Sequence, residues 1–355
     1  MISLRNRSKM HKLIVNEKIS FREAIEFMDK GGFGAIFFID DFQVLVGVMT
    51  DGDVRRAILR AVSMEAPAST VFNKEPKFLS KGFDQRALLD ISRKAYNKPV
   101  PVINEEGAIV DIVVSDIAPE MEKDNPVVIM AGGLGTRLLP LTKEIPKPMI
   151  HVGQKPILQT IVEQFRDMGY KKFYFCVNYK AELIEAHFLD GSPYNVNIQY
   201  IREEKRLGTA GALSMIVDEI NCPVFVMNAD LLTKLNFDSM LEFHNETQAE
   251  ITIATREYNY QIPYGVVEIN KEYVTSLVEK PVYSAFVNSG IYVLSPEILA
   301  LIPKNQYYDM TDLIDQVMGN GAVISSFPIR EYWMDIGKHD DLARANIDYH
   351  QQFIE

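Results

Sequence analysis

The chain has 355 residues, 47% hydrophobic and 24% charged, with a formal net charge of −11. That length suits two or three domains with sizeable cores. The acidic balance excludes a nucleic-acid binder that holds phosphates along a basic stripe. Two cysteines, Cys176 and Cys222, are too few for a disulfide framework or a structural zinc site. Both fall in apolar, strand-like runs and read as reduced, buried thiols. The opening MISLRNRSKMHKL lacks the apolar run of a signal peptide, and no stretch approaches the roughly 20 apolar residues of a membrane span. A cytoplasmic protein without a membrane partner is therefore expected.

In chain order, residues 20–30 (SFREAIEFMDK) predict a helix, with Phe21, Ala24, Ile25 and Met28 on one face and Ser20 as its N-cap. GAIFFID (34–40) and VLVGVMT (44–50) predict two strands around a turn, and DGDVRRAILRA opens a second helix. The pattern returns as a helix over 83–96, a strand over 100–104, the turn EEG and a strand over 108–115. Such a unit cannot bury its sheet face alone, so the two halves should pair. With GVMTDGDVRR (47–56), this repeat resembles a pair of CBS modules, regulatory domains that bind adenine nucleotides. The resemblance implies Thr50 on phosphate and Asp53 on ribose hydroxyls. A hydroxyl at a helix N-terminus suits phosphate, and a carboxylate suits a diol; the same residues would serve equally as an N-capped turn. The second copy departs from the pattern, with Asp111 in the glycine position and Ala118 in the acidic one.

Segment 116–126, DIAPEMEKDNP, is polar and flanked by prolines, as a junction would be. It divides a tandem regulatory domain at 1–120, with repeats at about 8–63 and 69–119, from a domain at 127–355, with a linker at 121–126. Beyond it come the strand VVIMAG, a helix at 155–168, the strand KKFYFCVN, a helix at 180–188, the strand VNIQYI, the helix TAGALSMIVDEI and the strand PVFVMNAD. This order predicts an α/β fold, a Rossmann-like and mostly parallel sheet, preceded by the α+β pair. Its ligand crevice should lie at the carboxyl ends of the strands.

The first of these strands runs into AGGLGTRLLPLTKEIPKP (131–148). Gly132, Gly133 and Gly135 allow close backbone approach to a phosphate. Arg137 brings a planar fork for phosphate oxygens, and Pro146 and Pro148 restrain the backbone around Lys147. Neither a dinucleotide fingerprint nor a Walker loop is present. The run instead resembles the signature of sugar-1-phosphate nucleotidyltransferases, and the resemblance extends over about 126–355. It implies that Arg137 and Lys147 act on the triphosphate and the reacting phosphates, and that Gly132, Gly133, Gly135 and Thr136 cradle the nucleotide. EEKRLGTAGAL (203–213) resembles the loop facing base and sugar, with Glu203, Gly208 and Thr209 on the nucleotide; its form is similar to that of guanylyl-transferring members. Thr209 could also cap the following helix.

Asp230, ending PVFVMNAD, and Asp335, in the W-x-D-x-G of EYWMDIG, would by the same resemblance hold Mg²⁺, a hard cation that prefers oxygen. Gly265, Glu279, Lys280 and Asn288, in YGVVEI, VEKP and VNSGIYVL, would line the sugar-phosphate pocket, Glu279 and Asn288 as buried groups on sugar hydroxyls. No Ser–His–Asp constellation is seen, and none is needed, because a sugar 1-phosphate is itself an anionic nucleophile. The expected reaction is in-line attack on the α-phosphorus of a nucleoside triphosphate, with GTP favoured and pyrophosphate leaving. A CBS pair joined to this domain resembles bacterial glucosamine-1-phosphate guanylyltransferases that feed legionaminic acid synthesis. Alternatives are mannose-1-phosphate guanylyl transfer, uridylyl or thymidylyl transfer, transfer of another alcohol phosphate, and a non-catalytic nucleotide sensor. CBS modules often pair between subunits, so a homo-oligomer is expected.

Overall fold

A computed structural model describes residues 2–3, 12–83, 99–114 and 122–353. Most of the helix predicted over 83–96, position 118 and residue 121 of the predicted linker lie outside the described residues. The chain divides into two compact units, Met1–Met121 and Glu122–Glu355.

The first unit contains β1 (Ile2–Ser3), β2 (Ile14–Asn16), α1 (Phe21–Gly31), β3 (Ala35–Ile39), β4 (Leu45–Thr50), α2 (Asp51–Leu59), β5 (Leu79–Ser80), β6 (Pro99–Ile103) and β7 (Ile109–Val114). Ser20 caps α1 as expected: its Oγ accepts from Glu23 N–H at 3.2 Å, and Glu23 accepts from Ser20 N–H at 2.8 Å. Phe21, Ala24 and Met28 are buried on one face and pack with Ile36, Phe38 and Met49 from the strands. β2 runs parallel to β3, and β3 antiparallel to β4. β5, β6 and β7 repeat that order with the same directions, so the repeat seen in the sequence is a repeat of strand topology.

The second unit begins with β8 (Val127–Met130), the hairpin β9 (His151–Val152) and β10 (Lys155–Pro156), and α3 (Ile157–Asp167). It continues through β11 (Lys172–Val177), α4 (Ala181–Phe188), β12 (Asn197–Arg202), β13 (Val224–Asn228), β14 (Leu231–Thr233), α5 (Phe237–Thr247) and β15 (Ile251–Gln261). It ends with β16 (Val266–Asn270), β17 (Tyr273–Val278), β18 (Val282–Leu294), α6 (Pro296–Leu299), α7 (Met310–Gly319), β19 (Ile324–Pro328), β20 (Trp333–Asp335) and α8 (His339–Gln352). A seven-stranded sheet of order β12-β11-β8-β13-β18-β15-β19 forms its centre. The strands are parallel except at β18, which runs antiparallel to both neighbours. Each face carries a separate core. One includes residues of α3, α4, α5 and α8 around Phe165 and Phe225; the other includes residues of α6, α7 and segment 207–220. β8 and β13 are therefore covered on both sides, which explains their unbroken apolar runs.

Two expectations are corrected. TAGALSMIVDEI forms two short 3₁₀ segments, Gly211–Met215 and Val217–Glu219, rather than one α-helix. The N–H groups of Ala210 and Gly211 both donate to Tyr308 O, at 3.0 and 2.9 Å, and Gly211 itself weakens helix propagation. Cys222 is half-buried ahead of β13 rather than within a strand, whereas Cys176 is buried in β11 as expected.

α5 carries the buried His244, whose Nδ1 hydrogen-bonds with Thr252 Oγ1 at 2.9 Å and Nε2 with Ser295 Oγ at 3.2 Å. Burial pushes its pKa from 6.5 down to about 4. The fold thus prefers the neutral ring, and the unfolded chain takes up the proton first. The stability tied to this residue is complete above pH 6.5 and is lost as pH falls toward 4, by about 2–3 kcal/mol. His244→Gln should flatten that part of the profile. Urea midpoints of both proteins at pH 7.5 and 4.5 check it; equal acid losses would refute it.

Candidate active site

The carboxyl ends of β8, β11 and β13 carry the site, and each is followed by a polar residue or loop. After β8 the glycine loop turns through Gly135, at φ 64°, into the 3₁₀ segment Thr136–Leu138. Gly135 is required there for two reasons: the left-handed backbone favours glycine, and a methyl would lie 2.8 Å from Thr142 Cγ2 and 3.1 Å from Lys147 Cβ. Thr142 is buried and donates to Gly135 O at 3.0 Å, which closes the loop on itself. A methyl on Gly133 would meet nothing within 4 Å, so that position faces open space. Beside Gly132 lie Glu203 Oε1 and Asn178 Cβ, at 3.1 and 3.2 Å from the position a methyl would take.

Lys147 begins the 3₁₀ segment Lys147–Met149, between the two prolines. Its side chain is only 10% exposed, and its Nζ donates to Asp230 Oδ2 and lies 3.9 Å from Asp335 Oδ1. A small antiparallel ribbon brings the two carboxylates together. β14 pairs with β20 so that Leu231 faces Asp335, and Ile336 N–H donates to Asp230 O at 3.0 Å. Burial, then the neighbouring Asp230 carboxylate, push the Asp335 pKa upward, while Lys147 and Arg137 pull it down. Arg137 is exposed, and a methyl on Gly337 would sit 3.3 Å from its Nη1. The W-x-D-x-G stretch thereby meets the glycine loop. Trp333 anchors it, donating from Nε1 to Ser289 O at 3.1 Å.

Asp230 Oδ1 is buried without a hydrogen-bond partner. An orphaned carboxylate oxygen is costly in a protein interior and is the donor type a hard divalent cation takes. Asp230 and Asp335 therefore fit the Mg²⁺ site inferred from the sequence.

The remaining predicted residues divide. Glu203 is half-buried, accepts from Leu207 N–H at 3.0 Å, and burial pushes its pKa upward. Its place beside Gly132 joins segment 203–213 to the glycine loop. Thr209 does not cap the segment that follows it; its hydroxyl accepts from Met310 N–H at 2.8 Å and donates to Asp309. Asn288 accepts from Gly290 N–H at 3.0 Å, and a methyl on Gly290 would strike Asn228 Nδ2. That places the Asn288–Gly290 stretch of β18 beside the end of β13. Gly265, Glu279 and Lys280 cluster together: a methyl on Gly265 would lie 3.0 Å from Glu279 Oε2, and Lys280 N–H donates to Tyr264 O at 3.3 Å. Glu279 and Asn288 are exposed, not buried as expected. Past the irregularity between Ile253 and Thr255, β15 and β18 continue as an arm whose outer residues, with β16 and β17, are almost all exposed. In the first unit, Thr50 and Asp53 are brought together but bond to each other. Thr50 N–H and O–H donate to Asp53 Oδ2 at 2.8 and 2.7 Å, and Arg56 donates to Asp53 Oδ1 at 2.8 Å.

Sequence reasoning missed Asn178 and Asn228, which end or follow β11 and β13 on either side of β8. Their signal was present, since a polar residue at the carboxyl end of a buried parallel strand marks the crevice.

A family model described as nucleotidyl transferase matches residues 126–352, and a CBS domain model matches residues 10–60. The chain is 35% identical over 232 residues to a mannose-1-phosphate guanyltransferase of Yarrowia lipolytica, covering 62% of this chain and 63% of that one. It is 34% identical over 240 residues to a UTP–glucose-1-phosphate uridylyltransferase of Synechocystis, covering 61% of each. It thus spans less than two thirds of the length of these relatives. The structure of HddC from Yersinia pseudotuberculosis matches with 30% identity and a TM-score of 0.51, over 63% of this chain and 99% of that one.

Proposed function

The chain belongs to the nucleotidyl transferase family, and from that premise we propose that it joins a nucleoside triphosphate to a sugar 1-phosphate, forming a nucleotide-sugar and pyrophosphate. The observation that carries this reading is Lys147 held between Asp230 and Asp335 at the end of the glycine loop. In the proposed step an oxygen of the sugar phosphate bonds to the α-phosphorus, and the bond from that phosphorus to the departing pyrophosphate breaks. Two anions must meet, so catalysis is positioning and charge neutralisation. Arg137 holds the outgoing pyrophosphate, Lys147 lies by the reacting phosphates, and Gly132, Gly133, Gly135 and Thr136 offer backbone to the nucleotide. Asp230 and Asp335 would hold Mg²⁺, which when bound supplies further positive charge. Lys280 would neutralise the sugar phosphate, and Gly265, Glu279 and Asn288 would face the sugar.

GTP is the favoured triphosphate. A guanyltransferase relative at 35% identity supports it, as does an HddC structure complexed with GMP-PN. UTP is the runner-up, because the uridylyltransferase stands at 34%. Glucosamine 1-phosphate is the proposed sugar, on the joining of the N-terminal unit to this domain, and the product would enter surface-glycan synthesis in the cytoplasm; mannose 1-phosphate is the alternative. We further propose a domain boundary at about 121–126, a second CBS module at 69–119, and an adenine nucleotide at Thr50 and Asp53. A homo-oligomer is supported by the arm, where Tyr264, Ile269, Tyr273, Val274 and Leu277 are 66–74% exposed. Among the described residues no helix is long and apolar enough to cross a membrane.

Mass spectrometry of products from mixed triphosphates and hexose or hexosamine 1-phosphates tests the reading. A GDP-sugar is expected; no nucleotide-sugar from any pair would refute it.

A further inference from the structure

We propose that Asp309 is a positioning residue for the nucleotide: it clasps segment 207–211 in place, a role that rests on the transferase reading. Asp309 precedes α7, a hundred residues from the loop it holds. Its Oδ1 accepts from Thr209 N–H at 2.9 Å and from Thr209 O–H at 3.2 Å. Its Oδ2 accepts from Tyr307 O–H at 2.8 Å. Thr209 Oγ1 in turn accepts from Met310 N–H at 2.8 Å. The backbone repeats the attachment: Tyr308 N–H donates to Leu207 O at 2.8 Å, and Tyr308 O takes the N–H groups of Ala210 and Gly211. Gly208 shows how close the two segments lie. Its φ is +80°, and a methyl there would sit 2.6 Å from Tyr308 O and 2.8 Å from Asp309 Oδ1.

The clasp reaches the nucleotide site through one residue. Leu207 receives Tyr308 on its carbonyl and donates its N–H to Glu203 Oε2, while Glu203 Oε1 lies against Gly132. Holding Leu207 therefore holds Glu203 against the phosphate loop. Hydrogen bonds to a charged acceptor are stronger than neutral ones, and binding is weakened when a loop must be ordered at the moment the ligand arrives. Freeing the loop should reduce triphosphate affinity and leave the sugar phosphate, assigned above to Lys280 and not to this segment, little changed.

Asp309 also caps α7, so the test must separate the two roles. Asp309→Ser keeps a capping hydroxyl but is too short to hold Thr209. Asp309→Asn keeps both the cap and a carbonyl oxygen for Thr209. Dissociation constants for GTP and UTP, each with magnesium and without sugar phosphate, are measured by calorimetry, alongside KM for each substrate and the thermal midpoint. Asp309→Ser should weaken triphosphate binding and raise its KM about tenfold. Its kcat and sugar-phosphate KM should stay within about twofold, at a near wild-type thermal midpoint. Asp309→Asn should stay within about threefold of wild type throughout. The proposal is overturned if Asp309→Ser binds triphosphate like wild type, if both substrates weaken equally, or if Asn rescues nothing. A wild-type protein that binds triphosphate but forms no nucleotide-sugar would sink the transferase reading, with the clasp still judged by the binding constants. A wild-type protein that binds no triphosphate overturns both.

Discussion

Lys147→Ala should lower turnover by about 10²–10³-fold, the range found when a single group that stabilises transition-state charge is removed. Its ammonium is the cation set among the loop and the carboxylates of Asp230 and Asp335. Without it the two carboxylates face each other with less compensation, and Asp335 is already pushed upward by burial and by Asp230. The fold should survive, because both cores of this unit are made of other residues. The expected cost is a thermal midpoint a few degrees lower, as a loss of about 1–2 kcal/mol would give in a domain of this size. Lys147→Arg should not restore the rate. A guanidinium is a flat fork and does not replace a compact point charge in a slot only 10% exposed. Continuous pyrophosphate release with saturating substrates checks this, and turnover within threefold of wild type would end the catalytic assignment.

Asp230→Asn should be nearly as damaging, about 10²-fold or more, and raising magnesium should not rescue it. The substitution is isosteric, so the strand end and the β14–β20 ribbon remain. It removes the charge that pairs with Lys147 and places a neutral amide where an orphaned buried oxygen now lies. Asp335→Asn should be milder and partly restored by added metal, because the Asp335 side chain is 46% exposed against 23% for Asp230. Manganese binding followed by electron paramagnetic resonance gives a readout independent of turnover. Equal manganese affinity in wild type and Asp230→Asn would refute the metal role.

The sequence carried much of this local arrangement. Ser20 and Glu23 announce a capped helix within four residues, and the apolar runs of β8, β11 and β13 are legible because a parallel strand covered on both faces has no polar side to show. The glycine–arginine–proline–lysine run was readable for a similar reason: loop conformation depends on residues adjacent in the chain. Where the reading failed, a distant segment had intervened. TAGALSMIVDEI has helical spacing, yet Tyr308 O captures the N–H groups of Ala210 and Gly211. Glu279 and Asn288 looked like buried pocket residues, but Glu279 follows the exposed strand β17 and Asn288 lies in β18 with its side chain open to solvent.

By itself the sequence determined the family signature and the alternation of strand and helix. Those properties follow from short-range sterics and the period of the apolar residues. Only the tertiary structure decided that Asp230 and Asp335 share Lys147, that Gly337 lies beneath Arg137, and that Asp309 clasps Thr209. Each of these joins segments far apart in the chain, through the β14–β20 register or the packing before α7. No local propensity encodes such a meeting; it exists only once the sheet and its two cores have formed.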